Sequence, residues 1–209
     1  KKMNKIIKAV PSSSISTYLL HLIFQLLQQK LAKKELDLIV RIVKESKIYV
    51  FETGITNIKD YTFNRCISLT EVIIPDSVTS IGKFAFCTCS SLIKVVMPNS
   101  VTDIGECAFC SCSLLTEVVT TESSIYVNTC ALPNSITSIR ECVFCECYSL
   151  TRIIIPNSVT SIGNCAFWNC KSLIQVDMPN SVTNVENSAF WNCTSLGEII
   201  IPNSLTNIE

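Results

Sequence analysis

Apolar residues recur along this chain with a period of 23 residues, which is much longer than the period of a helix or a strand. Six prolines and six phenylalanines keep this step, apart from one interval of 35 residues: Pro75, Pro98, Pro133, Pro156, Pro179 and Pro202, and Phe63, Phe86, Phe109, Phe144, Phe167 and Phe190. The same step relates two further sets: Cys66, Cys89, Cys112, Cys147, Cys170 and Cys193, and Leu69, Leu92, Leu115, Leu150, Leu173 and Leu196. A fixed period of this length is typical of proteins built from stacked repeats.

One unit, residues 158–180, shows which local structure each repeat favours. Val176 and Met178 alternate with polar residues, and this pattern predicts a short strand with one buried face. Pro179 follows directly, and because proline has no backbone N–H to donate to a ladder, we expect the strand to end there. The Pro-Asn-Ser sequence that follows is suited to a turn.

The remainder of the unit predicts two further pieces. Val159 and Ile162 favour a second short extended segment, and Ala166, Phe167 and Cys170 have a spacing that predicts a short helical turn. Each unit is too small to bury its own apolar side chains. Stacked units would share one continuous core, which is the architecture of a solenoid.

The interval of 35 residues is one repeat plus a 12-residue insertion, which alignment places at residues 120–131. The insertion is a candidate recognition loop, or it is a harmless addition. Ahead of the repeats, leucines and isoleucines recur at helical spacing within residues 12–46, so we expect residues 1–46 to form an N-terminal helical cap and residues 47–209 to form the solenoid. The sequence ends within a repeat, which favours an end-to-end contact at an uncapped C-terminal coil.

Composition excludes several classes of function. Seventeen basic residues balance 17 acidic ones, so a strongly basic nucleic-acid-binding protein is not expected. There is one histidine, His21, and there is no glycine-rich phosphate-binding motif, so we expect neither a catalytic triad nor a nucleotide cofactor. The most apolar run, residues 18–27, is too short for a membrane span, which needs about 20 residues.

Cysteine is abundant, with 13 residues. The six cysteines in the column given above follow the period of the core, so we expect them to be buried free thiols. Two alternatives remain open for the cysteines as a group: disulfides between stacked coils, and thiolate clusters at Cys107-x-x-Cys110-x-Cys112 and its counterpart one repeat later. Cys130 lies in the insertion and is expected to be exposed and reactive.

Residues 155–173, Ile-Pro-Asn-Ser-Val-Thr-Ser-Ile-Gly-x-x-Ala-Phe-x-x-Cys-x-Ser-Leu, resemble the BspA-type leucine-rich repeat. The resemblance covers about residues 47–209. It implies an α/β solenoid with short parallel strands, short helical turns and a right-handed coil. It also implies a cell-surface or secreted protein that binds other proteins or mediates adhesion, and it supplies no catalytic residues. This copy departs from the pattern at the insertion, and at Arg140 and Glu186, where sister repeats have glycine.

In leucine-rich repeats the strands line the concave side, and residues between the buried ones point outward. One such column is Glu71, Lys94, Glu117, Arg152, Gln175 and Glu198; the next is Ile73, Val96, Val119, Ile154, Asp177 and Ile200. An exposed apolar ladder of this kind marks an interface, although β-branched residues also favour strands for their own sake. Trp168 and Trp191 share another column, where they either anchor a partner or pack on each other.

The sequence therefore predicts a non-catalytic scaffold for protein–protein interaction, with no metal and no cofactor. The resemblance favours cell-surface adhesion or recognition through the strand columns. The alternative is an intracellular structural subunit of a larger assembly, for example a cytoskeletal one, and the free thiols favour that alternative.

Overall fold

The computed structural model describes residues 48–51, 54–120, 129–197 and 199–208, all within one unit of the chain, Lys47–Glu209. The predicted helical cap at residues 1–46 and the centre of the insertion, residues 121–128, lie outside the described residues. The strands are β1 (Ile48–Val50), β2 (Asn57–Ile58), β3 (Glu71–Ile73), β4 (Ser80–Ile81), β5 (Lys94–Met97), β6 (Asp103–Ile104), β7 (Glu117–Thr120), β8 (Cys130–Ala131), β9 (Ser138–Ile139), β10 (Arg152–Ile154), β11 (Ser161–Ile162), β12 (Gln175–Asp177), β13 (Asn184–Val185) and β14 (Asn207–Ile208).

These strands form two sides of a solenoid, and every pair is parallel. Sheet A has the order β1-β3-β5-β7-β8-β10-β12. Sheet B consists of two separate pieces, β2-β4-β6 and β9-β11-β13-β14. Residues one repeat apart are register partners, so Val72 lies opposite Val95, and Val95 opposite Val118. The predicted solenoid with short parallel strands is confirmed.

The third side of each repeat, here called the turn side, runs from two residues before the phenylalanine to the cysteine three residues after it. The prediction of a short helical turn at Ala166, Phe167 and Cys170 is wrong, because the described residues on the turn side form consecutive turns and no helix. The residues two positions before and two positions after the phenylalanine have a left-handed backbone conformation: Cys165 has a φ of 53° and Asn169 a φ of 63°. These two residues interrupt any helical run.

The left-handed residues direct backbone N–H groups toward the next repeat. Cys165, Phe167 and Asn169 donate hydrogen bonds of 2.8–3.0 Å to carbonyl oxygens one repeat further along, those of Asn187, Ala189 and Trp191. The same three bonds link the other turns of the described stack; for example, Phe86 donates to Ala108 at 2.8 Å. Bonds between repeats therefore take the place of the bonds that a helix would make within a repeat.

The turn side also holds the centre of the core. The six phenylalanine rings stack at centroid distances between 5.1 and 5.7 Å, and the four inner rings are fully buried. Beside them, five thiols of the cysteine column three residues after the phenylalanines donate to the carbonyl oxygen of the phenylalanine in the preceding repeat, at 3.1–3.3 Å. The prediction of buried thiols is confirmed for Cys89, Cys112, Cys147, Cys170 and Cys193, while Cys66 is half-buried.

The insertion adds a strand to sheet A. Cys130 in β8 pairs with Val118 of β7 on one side and with Ile153 of β10 on the other. Both Val118 and Cys130 thus occupy the inward-facing position of the repeat. The expectation that Cys130 is exposed and reactive is wrong, because this position buries its side chain completely. Burial also raises the pKa of its thiol well above the ordinary value.

The two repeats around the insertion are spaced differently on the three sides. On the turn side, Phe109 and Phe144 stack directly at 5.7 Å. In sheet A, β8 lies between β7 and β10, so the strands of these two repeats are two strand spacings apart, about 10 Å. In sheet B, β6 and β9 are not paired.

The gap in sheet B explains the arginine at position 140. A Cβ atom on Gly105 would lie 2.6 Å from the backbone nitrogen of Lys83, because paired repeats approach closely there. Arg140 follows β9 at the same repeat position as Gly105. Strand β9 is not paired with β6, so there is room for the arginine side chain, and the Arg140 guanidinium lies 2.8 Å from Asp103. At Glu186 the carboxylate accepts a hydrogen bond from the backbone N–H of Asn164 at 3.0 Å.

Candidate interaction surface

Sheet A brings the two predicted outward columns together on one side. The first residue of a strand belongs to the charged column and the third to the aliphatic column, while the residue between them is buried. Register pairing places Lys94 beside Glu117, and Val96 beside Val119. Beyond β8, Arg152 lies beside Gln175, which is exposed. Glu198 lies outside the described residues.

The aliphatic column is exposed only in part. Ile73 has an exposed fraction of 4%, so the expectation that it faces water is wrong. Val96, Val119 and Ile154 are half-buried. Ile200 is 84% exposed and lies outside any strand. The three half-buried side chains form the centre of the aliphatic column.

Ion pairs border this aliphatic column on both sides of β8. Lys94 Nζ lies 3.0 Å from Glu117 Oε2, and both side chains are only 16% exposed. Arg152 donates from Nη2 to Asp177 Oδ2 at 2.6 Å, and Gln175 Nε2 donates to the other carboxylate oxygen at 2.7 Å. The carboxylate that interrupts the aliphatic column is thus the partner of an arginine on the neighbouring strand.

Strand β8 divides the surface into two groups. Its outward positions hold Ala131 and, just before the strand, Thr129, and both residues are buried. The corresponding residues of β10 are Ile154 and Arg152. A pair of small residues therefore separates the Lys94–Glu117 group from the Arg152–Asp177 group.

The two tryptophans lie on the turn side and not on sheet A. Trp168 and Trp191 stack with a centroid distance of 5.5 Å and an interplanar angle of 6°. Trp168 is half-buried and Trp191 is 57% exposed. The following residues also pair, since Asn192 Nδ2 donates to Asn169 Oδ1 at 2.7 Å. The predicted residues thus form two separate surfaces, and the tryptophans pack on each other while one ring stays open to solvent.

Two exposed isoleucines at the edge of this surface are not among the residues predicted from the sequence. Ile93 and Ile174 immediately precede the charged column, and both are exposed. They share one repeat position, in which Thr116 and Thr151 stand in other repeats. An apolar residue in an otherwise polar column was the signal that could have identified them.

The buried thiols differ from metal-binding thiolates. Metal ligation needs a deprotonated thiol, but burial raises the pKa of Cys89 to about 12 and that of Cys193 to about 11. Within the described ranges, no group of three or more His, Cys, Asp or Glu residues is arranged to hold a metal ion. In the same part of the chain, no helix has the length and apolar character that crossing a membrane requires.

Comparison with protein families decides the classification. The family described as BspA type Leucine rich repeat region matches residues 44–132 and 122–209, with six copies of the repeat. The chain belongs to the BspA-type leucine-rich-repeat family. Comparison with curated protein sequences gave no significant match.

Solved structures similar to this BspA-type chain include three bacterial proteins. The leucine-rich-repeat protein of T. pallidum is 31% identical with a TM-score of 0.64, covering 71% of this chain and 66% of that one. A leucine-rich cell surface protein of Faecalibacterium prausnitzii is 25% identical (TM-score 0.46, covering 72% and 58%). A leucine-rich-repeat protein of Eubacterium ventriosum is 19% identical (TM-score 0.50, covering 66% and 40%). The chain spans between 40% and 66% of the length of these proteins.

The BspA-type solenoid presents its outward residues on a regular backbone. The phenylalanine rings of consecutive repeats stack at centroid distances of 5.1–5.7 Å, and the strand ladder fixes the register of sheet A. A surface of this kind is ordered before it binds, so a partner would lose less conformational entropy than it would on a flexible loop. The arrangement is that of a repeat scaffold.

Proposed function

We propose that this chain is a non-catalytic protein-binding scaffold that acts in adhesion or recognition at a cell surface, through the outward columns of sheet A. The observation that carries the proposal is the group of half-buried aliphatic side chains Val96, Val119 and Ile154, bordered by ion pairs. The resemblance to BspA-type repeats supports the cell-surface setting.

The chemistry of this surface suits a protein partner. Removing the exposed part of each aliphatic side chain from water favours association by about 25 cal/mol per Å². The flanking pairs Lys94–Glu117 and Arg152–Asp177 each combine opposite charges. Paired charges at the rim of an apolar patch set the orientation and the rate of association more than the final affinity. An apolar centre with a polar rim is the usual anatomy of an interface.

The decisive test places three charges in the aliphatic column. We expect the combined variant Val96→Lys, Val119→Lys and Ile154→Lys to bind at least tenfold more weakly than the native chain, equivalent to about 1.4 kcal/mol. Binding would be measured by interferometry, with the immobilised full chain and purified extracellular proteins as analytes.

The matched control adds the same charge to sheet B. Thr79, Thr102 and Thr160 are exposed and lie one residue before β4, β6 and β11, and lysine at these three positions should leave affinity unchanged. Circular dichroism would show that both variants fold. Equal loss of binding in the two variants would contradict the assignment to sheet A.

A second candidate function is an intracellular structural subunit, and one observation favours it. Five buried cysteines donate as thiols to backbone carbonyls, which requires the reduced form. Reduced cysteines are the rule in reducing compartments. Membrane-impermeant biotinylation of intact source cells separates the two candidates: labelling of the chain supports the surface role, and labelling only after lysis supports the internal one.

A further inference from the structure

The two cations of the charged column, Lys94 and Arg152, differ in how much of each side chain reaches solvent. Lys94 is 16% exposed and pairs with Glu117. Arg152 is 37% exposed, although it also has an ion pair, with Asp177. Arg152 is therefore the cation of this column that a partner can reach.

The contacts of Arg152 fix the orientation of its guanidinium. Nε and Nη2 both donate to Asp177 Oδ2, at 3.2 and 2.6 Å. Gln175 Nε2 donates to the other oxygen of that carboxylate at 2.7 Å, so both carboxylate oxygens are engaged. Rotation of the guanidinium would break two hydrogen bonds at once. A side chain held in this way loses little conformational entropy when a partner binds to it.

These contacts use one edge of the guanidinium and leave another edge open. The guanidinium is planar, stays charged and has five N–H donors. The bonds to Asp177 occupy the edge formed by Nε and Nη2. The end formed by Nη1 and the second N–H of Nη2 has no bonding partner among the described residues. The two parallel N–H groups at that end match the two oxygens of a carboxylate.

Uncharged side chains surround the position of Arg152 on sheet A. Ile154 follows two positions later on β10 and is half-buried. Ile174 immediately precedes β12 and is 61% exposed. On the other side, Ala131 of β8 and Thr129 just before it carry no charge. A partner that covers the isoleucines would also exclude water from Arg152, and a hydrogen bond to a charged group is stronger where water is excluded.

We propose that Arg152 binds an Asp or Glu side chain of the protein partner, and that an aliphatic residue of the partner beside this acid covers Ile154. The inference rests on the proposed function, since it names the chemistry that the outward side of sheet A would recognise. A carboxylate is favoured over a neutral carbonyl, because hydrogen bonds between ionised groups are about twice as strong as neutral ones. The planar fork of arginine also binds both carboxylate oxygens, which a lysine ammonium does not do.

Arg140 supplies a matched control for Arg152. Its Nη2 lies 2.8 Å from Asp103 Oδ1, and its side chain is 44% exposed. It follows β9, which belongs to sheet B. The two arginines therefore share charge, similar exposure and an acidic partner, and they differ in the side of the solenoid on which they lie.

The test uses peptides selected from a random library displayed on phage, with the immobilised full chain as the target. Peptides that lose binding when Val96, Val119 and Ile154 are all changed to lysine are assigned to sheet A. We expect these peptides to carry Asp or Glu next to an aliphatic residue. Replacing that acid by Asn or Gln should weaken binding at least tenfold, and so should Arg152→Gln, whereas Arg140→Gln should leave affinity unchanged.

Combining the two changes shows whether the acid and Arg152 contact each other. If they do, the amide peptide should bind Arg152→Gln no more weakly than either single change predicts. A sheet A peptide that binds equally well with its acid replaced, or that binds Arg152→Gln as it binds the native chain, would overturn the inference and leave the proposed function in place. The first of these comparisons uses the native chain, so it decides even if Arg152→Gln does not fold. Selecting only peptides that are indifferent to the three lysines, or selecting none, would overturn the proposed function and the inference together.

Discussion

The turn side and sheet A share one period but respond differently to the 12 inserted residues. On the turn side, Phe109 and Phe144 stack and their backbones hydrogen-bond as they do in repeats with no insertion. Sheet A instead accepts β8 as an additional strand. The difference arises because the turn needs specific left-handed residues and buried thiols, whereas a strand needs only an extended segment with an inward side chain.

This contrast indicates where the repeat can vary without losing its fold. Inward positions of sheet A, such as Val95 and Val118, are fully buried, as are the phenylalanines. The outward positions carry acids, bases, amides and aliphatic groups on the same backbone. This variation supports the proposal that recognition uses the outward side of sheet A.

The largest expected effect comes from opening the phenylalanine stack. Phe109→Ala should lower the free energy of unfolding by about 3–5 kcal/mol, because it removes a fully buried ring between Phe86 and Phe144. Val119→Ala, on the outward side of sheet A, should cost less than about 1 kcal/mol. Urea unfolding of the full chain measures both. Comparable losses would show that the turn side and the outward side of sheet A tolerate the loss of a side chain equally.

A smaller effect should separate the paired and unpaired parts of sheet B. Gly105→Ala should destabilise the chain by about 1–3 kcal/mol, because its Cβ would meet the backbone of Lys83 at 2.6 Å. Arg140 occupies the same repeat position. Arg140→Ala removes only an exposed ion pair with Asp103, so it should lower the free energy of unfolding by less than about 1 kcal/mol. Thermal unfolding of the two variants provides the comparison. A larger loss for Arg140→Ala would contradict the role assigned to the gap between β6 and β9.

The period of the sequence was sufficient to predict the strands, their stacking as a solenoid and the burial of five of the six core thiols. The parallel direction of the strands was implied by the resemblance to BspA-type repeats. It could not separate a helical turn from the observed one, because Ala166, Phe167 and Cys170 have the same spacing in both. The observed turn is favoured over a helical one by backbone N–H groups that donate to carbonyl oxygens of the next repeat. The sequence of one repeat does not contain those carbonyl acceptors, so it does not predict the turn.

The inserted strand was predictable in part. Cys130 and Ala131 lie three and two residues before Pro133, as Ile153 and Ile154 lie before Pro156 in the next repeat. This match could have identified a strand at Cys130 and Ala131. A prediction that treats residues 120–131 as an insertion puts Cys130 in a loop and expects it to be exposed, which is wrong. The burial of Ile73 and the pairing of Asp177 with Arg152 depend on three-dimensional neighbours, so the pattern of the sequence alone does not contain them.

The smallest expected effect distinguishes the two ion pairs of sheet A. In double-mutant cycles with alanine, the coupling between Arg152 and Asp177 should be about 0.2–1 kcal/mol and should weaken at 1 M salt, because both side chains are about one-third exposed. The Lys94–Glu117 pair has exposed fractions of only 16%, so its coupling should depend less on salt. Urea unfolding at low and high salt measures the two couplings. Equal salt dependence would show that β8 separates two groups of the same electrostatic character, and that sheet A is a uniform surface.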